Sequence, residues 1–153
     1  MAGGLSMRNF FILLICAIWI TAPIQAKETL SPFEKVTLEA RKTQDFMPVW
    51  ERFVNTEFFV SIIPLDSGKQ TSDFRFSILN GPGTNTEPVV LVSENLQRLS
   101  IAESGKSIKL RGGKLIQMIN PEVGIVVVLS DGAFGIPKER VQWLKSSIQT
   151  VNR

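Results

Sequence analysis

Between residues 46 and 63 the chain changes period, and that switch constrains the fold more than any other feature. Phe46, Val49, Trp50, Phe53 and Val54 follow the spacing i, i+3, i+4, i+7, i+8. That spacing puts apolar side chains on one face of a helix. Residues 58–63 then form a dense β-forming run closed by Pro64. An apolar helix face next to an apolar strand is best buried by packing helix on sheet. The stripe reads as core, and an aromatic ligand platform is the lesser reading.

The rest of the chain can be placed around this switch. Ser31, Pro32 and Glu34 predict a helix start, with Ser31 as cap, Pro32 in the first helical position and Glu34 closing a capping box. Phe33, Val36, Thr37 and Ala40 share its inner face. The second helix follows Asp45, with Pro48 still in its first turn. Asp66, Ser67, Gly68 and Lys69 signal a turn. Phe74, Phe76 and Ile78 alternate with Arg75 and Ser77, as in a strand with one wet face. After the break at Asn80, Gly81, Pro82 and Gly83, residues 89–92 begin a third strand, so an antiparallel meander is expected. Ser93 is expected to cap a short helix bearing Leu96, Leu99 and Ile101, closed by Gly105.

A fourth strand alternates Ile108 and Leu110 with Lys109 and Arg111. Leu115, Ile116 and Ile119 suit one or two helical turns, stopped by Asn120 and Pro121. Residues 125–129 are apolar on both faces and read as the most buried strand. After the turn at Ser130, Asp131 and Gly132, Phe134 and Ile136 offer a short last strand. Pro137 opens a terminal helix with Val141, Leu144, Ile148 and Val151 inward. The expected class is α+β: a mixed, mostly antiparallel sheet of about five strands with helices packed against it, in the order ααβββαβαβ(β)α.

The amino-terminal 26 residues have a different grammar. Arg8 precedes an apolar run over 10–20, and small residues end at Ala26 before Lys27 and Glu28. That is the pattern of a secretory signal peptide. Eleven apolar residues fall short of the roughly 20 needed to span a bilayer as a helix. Export, to the periplasm or outside, with cleavage after Ala26 is expected. Ile24, third before the cut, keeps an uncleaved anchor as the alternative, and Met7 is a second candidate start. A lipoprotein fits less well, because Ile15 precedes Cys16 and the apolar run continues past it. The expected organisation is a signal peptide over 1–26, a helical extension over 27–44 and an α/β domain over 45–153. The extension reads as the most detachable part, since its apolar stripe is thinnest.

Composition excludes more than it suggests. Cleavage would remove the only cysteine, Cys16, so the apolar core alone must hold the exported chain. With no histidine, Ser-His-Asp and Cys-His catalysis and His-based zinc sites are excluded. The 17 basic residues include one, Arg8, in the leader; the 16 that remain face 14 acids. A balance of +2 gives no footprint for nucleic acid.

Several stretches resemble the amino-terminal domain of the SseB, or enhanced serine sensitivity, family. They are Phe58-Phe59-Val60-Ser61-Ile62-Ile63-Pro64, Pro88-Val89-Val90-Leu91-Val92-Ser93 and Gly113-Lys114-Leu115-Ile116-Gln117-Met118-Ile119-Asn120-Pro121. The best match is the tail Phe134-Gly135-Ile136-Pro137-Lys138-Glu139-Arg140-Val141. The resemblance spans about residues 45–150 and implies a small α/β domain without transferable catalytic residues. Two departures stand out. The family's Asn-Pro-Gly after the late buried strand is replaced here by Ser130, Asp131 and Gly132, and family members usually lack a signal peptide.

Chemical motifs are few. Gly105-Lys106-Ser107 looks like the end of a P-loop, but Ser100 stands where a glycine is needed; a P-loop follows a strand and opens a helix, whereas here a helix is expected before and a strand after. Gly81-Pro82-Gly83 has no helix after it. No Ser-x-x-Lys occurs, which weakens a serine–lysine hydrolase. Asp66, Asp73, Glu87, Glu94, Glu122 and Asp131 sit mostly in turns, and no loop has calcium spacing. The notable surface feature is Lys106, Lys109, Arg111 and Lys114, a candidate site for an anion or partner. The plainer reading is a strand edge protected by lysine.

These residues suggest an exported, non-enzymatic protein-interaction module that binds an unknown protein of the cell envelope, with no catalytic residue, cofactor, metal or nucleic acid. The alternative is a binder of an anionic envelope component, a membrane surface included, through the basic quartet. An enzyme of unusual chemistry comes third.

Overall fold

The computed structural model describes residues 29–65, 73–81, 87–99 and 106–151. The expected signal peptide, the turn at Asp66 to Lys69, and the expectations for Pro82, Gly83, Ile101 and Gly105 lie outside them. The elements are α1 (Pro32–Thr43), α2 (Met47–Asn55), β1 (Glu57–Pro64), β2 (Phe74–Phe76), β3 (Ile78–Asn80) and β4 (Pro88–Ser93). A 3-10 turn (Leu96–Leu99) leads to β5 (Lys106–Arg111), α3 (Gly112–Met118), β6 (Gly124–Leu129), β7 (Gly132–Ile136) and α4 (Lys138–Val151). The chain is an α+β fold; its described residues form four helices and a mixed sheet of seven strands. Among the described residues only β4 and β6 pair in parallel; every other pairing is antiparallel.

Strand count and order differ from the expected meander. The strand expected over 74–78 is two, broken at Ser77, whose N–H donates to the Ser61 carbonyl at 3.0 Å. Ile62 pairs with Phe76 on one edge and with Lys106 on the other, so β2 and β5 flank β1 on opposite sides. Phe59 likewise pairs with Ser93 of β4 and Lys109 of β5. Strands β1 and β4 therefore meet directly at Val60 and Val92 and then part. The bent β2–β3 segment fills the opening, with Ile78 against Val90. Beyond β4 come β6 and then β7. Among the described residues β2, β3, β5 and β7 each pair with a single strand.

One face of the sheet holds the core. Phe58, Val60, Val90, Val92, Ile125, Val127, Phe134 and Ile136 meet Phe33, Val49, Phe53, Leu115, Ile116, Val141 and Leu144 from all four helices. The alternate residues Phe59, Ile63, Leu91, Val126 and Val128 are half-buried on the other face. Gly112 permits a close approach between α2 and α3: its N–H donates to the Thr56 carbonyl at 2.8 Å, and a Cβ there would stand 2.0 Å from the Phe53 carbonyl oxygen. Any other residue would push α2 away from α3.

Helix α1 is seated more firmly than its thin stripe suggests. Phe33 is fully buried and sits edge-on to Phe53, Phe58 and Phe134, with centroids 5.4–6.1 Å apart. Such pairs add to the stabilisation from burial. The capping box forms as expected: the Ser31 hydroxyl accepts from the Glu34 N–H, and the Glu34 carboxylate accepts from the Ser31 N–H. The expected cap at Ser93 is displaced. Ser93 belongs to β4; its hydroxyl accepts from the Asn95 N–H at 3.2 Å and donates to the Val128 carbonyl, tying β4 to β6. The 3-10 turn starts instead from Asn95, whose side chain accepts from the Gln97 N–H at 2.9 Å.

Candidate functional site

The four residues of the basic quartet do not converge on one face. Lys109 and Arg111 share a strand face, while Ile108 and Leu110 pack against the core from the other. Lys106 falls by alternation on the side of Ile108 and Leu110, at the exposed start of β5. Lys114 is exposed on α3. Lys109 already has partners: its Nζ is 3.1 Å from the Glu57 carboxylate and 5.7 Å from the Phe59 ring centroid. Lys106 and Ser107 lie in a strand, not at the helix N-terminus a P-loop requires.

An open concavity lies elsewhere, between α2 and α4. Asp45 accepts from the Met47 N–H at 3.1 Å and starts α2 there, with Pro48 inside the first turn. Val49, Trp50 and Phe53 turn to the core, which leaves Met47, Glu51 and Val54 on the flank. The last helix buries Val141 and Leu144, and Trp143 lies one step around from them. The two flanks wall an open groove of about 400 Å³, lined mainly by Met47, Trp50, Val54, Trp143, Leu144 and Ile148, with Asn55 and Ser147 as polar members. Met47 is 52% exposed and Trp143 42%. Trp50 is largely core, as its spacing predicts, but one edge reaches the groove. The Arg140 guanidinium lies over both indoles, 5.0 Å from the Trp50 centroid and 4.8 Å from that of Trp143.

A second polar constellation gathers where the parallel strands β4 and β6 end. Glu34, almost fully buried, accepts from the Ser31 N–H at 2.8 Å, the Ser130 N–H at 2.5 Å and Arg98 Nη1 at 3.0 Å. The Ser31 hydroxyl also bonds to the Glu94 carboxylate. Burial pushes the Glu34 carboxyl up, but the Ser31 and Ser130 donors and the Arg98 charge outweigh it and hold it down at about 2. Glu94 moves the other way: burial raises it, the Ser31 hydroxyl offsets part of that, and the Glu34 charge adds to the rise.

Two carboxyls pushed apart in this way are the raw material of acid–base catalysis. Beside Glu34 the described residues leave a cavity of only about 10 Å³, room for about one water. The constellation clasps together α1, the 3-10 turn and the β6–β7 turn. Among the described residues no three His, Cys, Asp or Glu side chains gather where a metal ion would bind.

Sequence reasoning about single elements missed the groove. One signal was present: Trp143 is a large aromatic that falls off the inward stripe of Val141, Leu144 and Ile148. Glu34 was legible only as a capping residue, and its meeting with Arg98 and Ser130 needs the tertiary fold. No protein-family model, no curated protein and no solved structure matches the chain. The site therefore has to be read from its own chemistry.

Proposed function

We propose that the chain is an exported, non-enzymatic protein-interaction module with an SseB-like domain, and that it binds an apolar segment of a cell-envelope protein in the groove between α2 and α4. The observation that carries this reading is the exposure of Trp143 and Met47 along an apolar groove of about 400 Å³. The volume lies in the range of ligand pockets, about 300–1,000 Å³. Such pockets enclose most of a small ligand, however, whereas this groove has two helical walls and is open to solvent. An open trough between helices suits apolar anchors on a protein segment. Trp, Met and Arg are the residues enriched where proteins dock.

The alternative, an anionic envelope component held by Lys106, Lys109, Arg111 and Lys114, has less in its favour. Lys109 is paired with Glu57, and Lys106 falls on another strand face. Capture from an envelope fraction with the purified chain separates the two. A partner held by the wild type and by Lys109→Glu/Arg111→Glu, but lost from Trp143→Ala, supports the groove. Retention by Trp143→Ala with loss from the charge-reversed variant would transfer the function to the basic residues.

A further inference from the structure

The cations of α4 differ in one respect that specifies the partner. Lys138 reaches the Glu122 carboxylate at 3.7 Å, and Lys145 donates to the Ile119 carbonyl at 3.0 Å. Arg140 has no carboxylate partner among the described residues; its guanidinium lies over the Trp50 and Trp143 rings. Both rings also line the groove. A guanidinium held over ring faces can still offer N–H donors to a carboxylate fork. Two indoles hold it in place before anything binds, so little side-chain freedom remains to be lost.

We infer that the groove accepts a protein segment whose apolar anchors are accompanied by an acidic side chain, and that Arg140 receives that carboxylate. This rests on the groove being the docking surface. Charge complementarity selects the occupant: a purely apolar segment would cover a half-buried guanidinium without pairing it, a costly arrangement. Glu51, on the α2 wall, has no basic partner among the described residues. It repels a carboxylate from that wall, so the two charges together set the direction in which the segment lies.

The test is selection of random 16-residue displayed peptides on the full chain, followed by affinity measurements with the winning peptide through tryptophan fluorescence. The expected winners carry Asp or Glu beside apolar residues, and Trp143→Ala abolishes their binding. Arg140→Ala should weaken the winning peptide about ten-fold, as for a lost charge-assisted hydrogen bond. Changing the peptide's acid to its amide should weaken wild-type binding equally and leave the Arg140→Ala protein indifferent. That arm alters only the peptide, so it stands whether or not the protein variant folds well. Arg140→Glu should redirect the selection toward Lys and Arg. Winners that require Trp143 but carry no acid, or that bind Arg140→Ala undiminished, overturn this inference and leave the groove standing. Winners indifferent to Trp143→Ala, or no winners at all, overturn both.

Discussion

The seat of α1 and the groove between α2 and α4 belong to the same helical layer and break its rules in opposite ways. At the α1 seat a carboxylate is buried, and all its neighbours answer it: Glu34 receives two backbone N–H groups and a guanidinium. At the groove, apolar surface is exposed and, among the described residues, a cation is left without an anion. A buried charge whose hydrogen bonds are complete fixes structure, and its removal leaves orphaned donors. Exposed aromatics beside an unpaired guanidinium are poised for a partner. Perturbed carboxyls alone would have pointed to the first region as the functional one. Cavity size reverses that choice, about 10 Å³ against about 400 Å³.

The largest expected effects test whether α1 is as integral as the core. Phe33→Ala and Trp50→Ala should each cost about 3–5 kcal/mol by urea unfolding, as for other buried aromatics. With a typical margin of about 5–15 kcal/mol, either change takes a large part of the total. If Phe33→Ala unfolds like the wild type, α1 is a detachable extension and the contrast between the regions collapses.

Acid titration comes next. Glu34 titrates at about 2 in the fold against a reference of 4.5, so its contribution is present above 4.5 and is lost as pH falls through about 2. The size is on the order of 3 kcal/mol. Glu94, raised in the fold, has the reverse sign: it costs stability when ionised and returns it as pH falls through its folded value toward 4.5. Stability should thus rise slightly on mild acidification and then fall. In Glu34→Gln the fall below 4.5 should flatten, and a variant that keeps the full acid loss would place the sensitivity elsewhere.

Trp143→Ala sharpens the other half of the comparison. It should cost only about 0.5–1 kcal/mol, the worth of its cation–π contact, while peptide binding disappears. A melting loss as large as that of Trp50→Ala would make Trp143 a core residue instead. The smallest effect is expected for Lys109→Glu/Arg111→Glu: within about ±0.5 kcal/mol per substitution, with partner binding intact. The exposed Lys109–Glu57 pair that it breaks is worth little in water.

Much of this was legible in the sequence because it is local. Capping by Ser31 and Glu34, the helical stripe from Val49 to Phe53, the dense run of β1 and the apolar β6 follow from periods and turn chemistry within a few residues. The α+β class follows from their order. What stayed hidden depends on which elements become neighbours. The kink at Ser77 forms because β1 and β4 part, and the parallel pairing of β4 with β6 joins strands separated by the whole of β5 and α3. Glu34 looks the same in sequence whether it caps one helix or also clasps Arg98, 64 residues away. Arg140 and Trp143 acquire meaning only when α4 is laid beside α2, so that the guanidinium lies over Trp50 as well as Trp143. Periodicity reports which face of an element is apolar. Only the packing of the whole chain decides which faces are covered and which charges find partners.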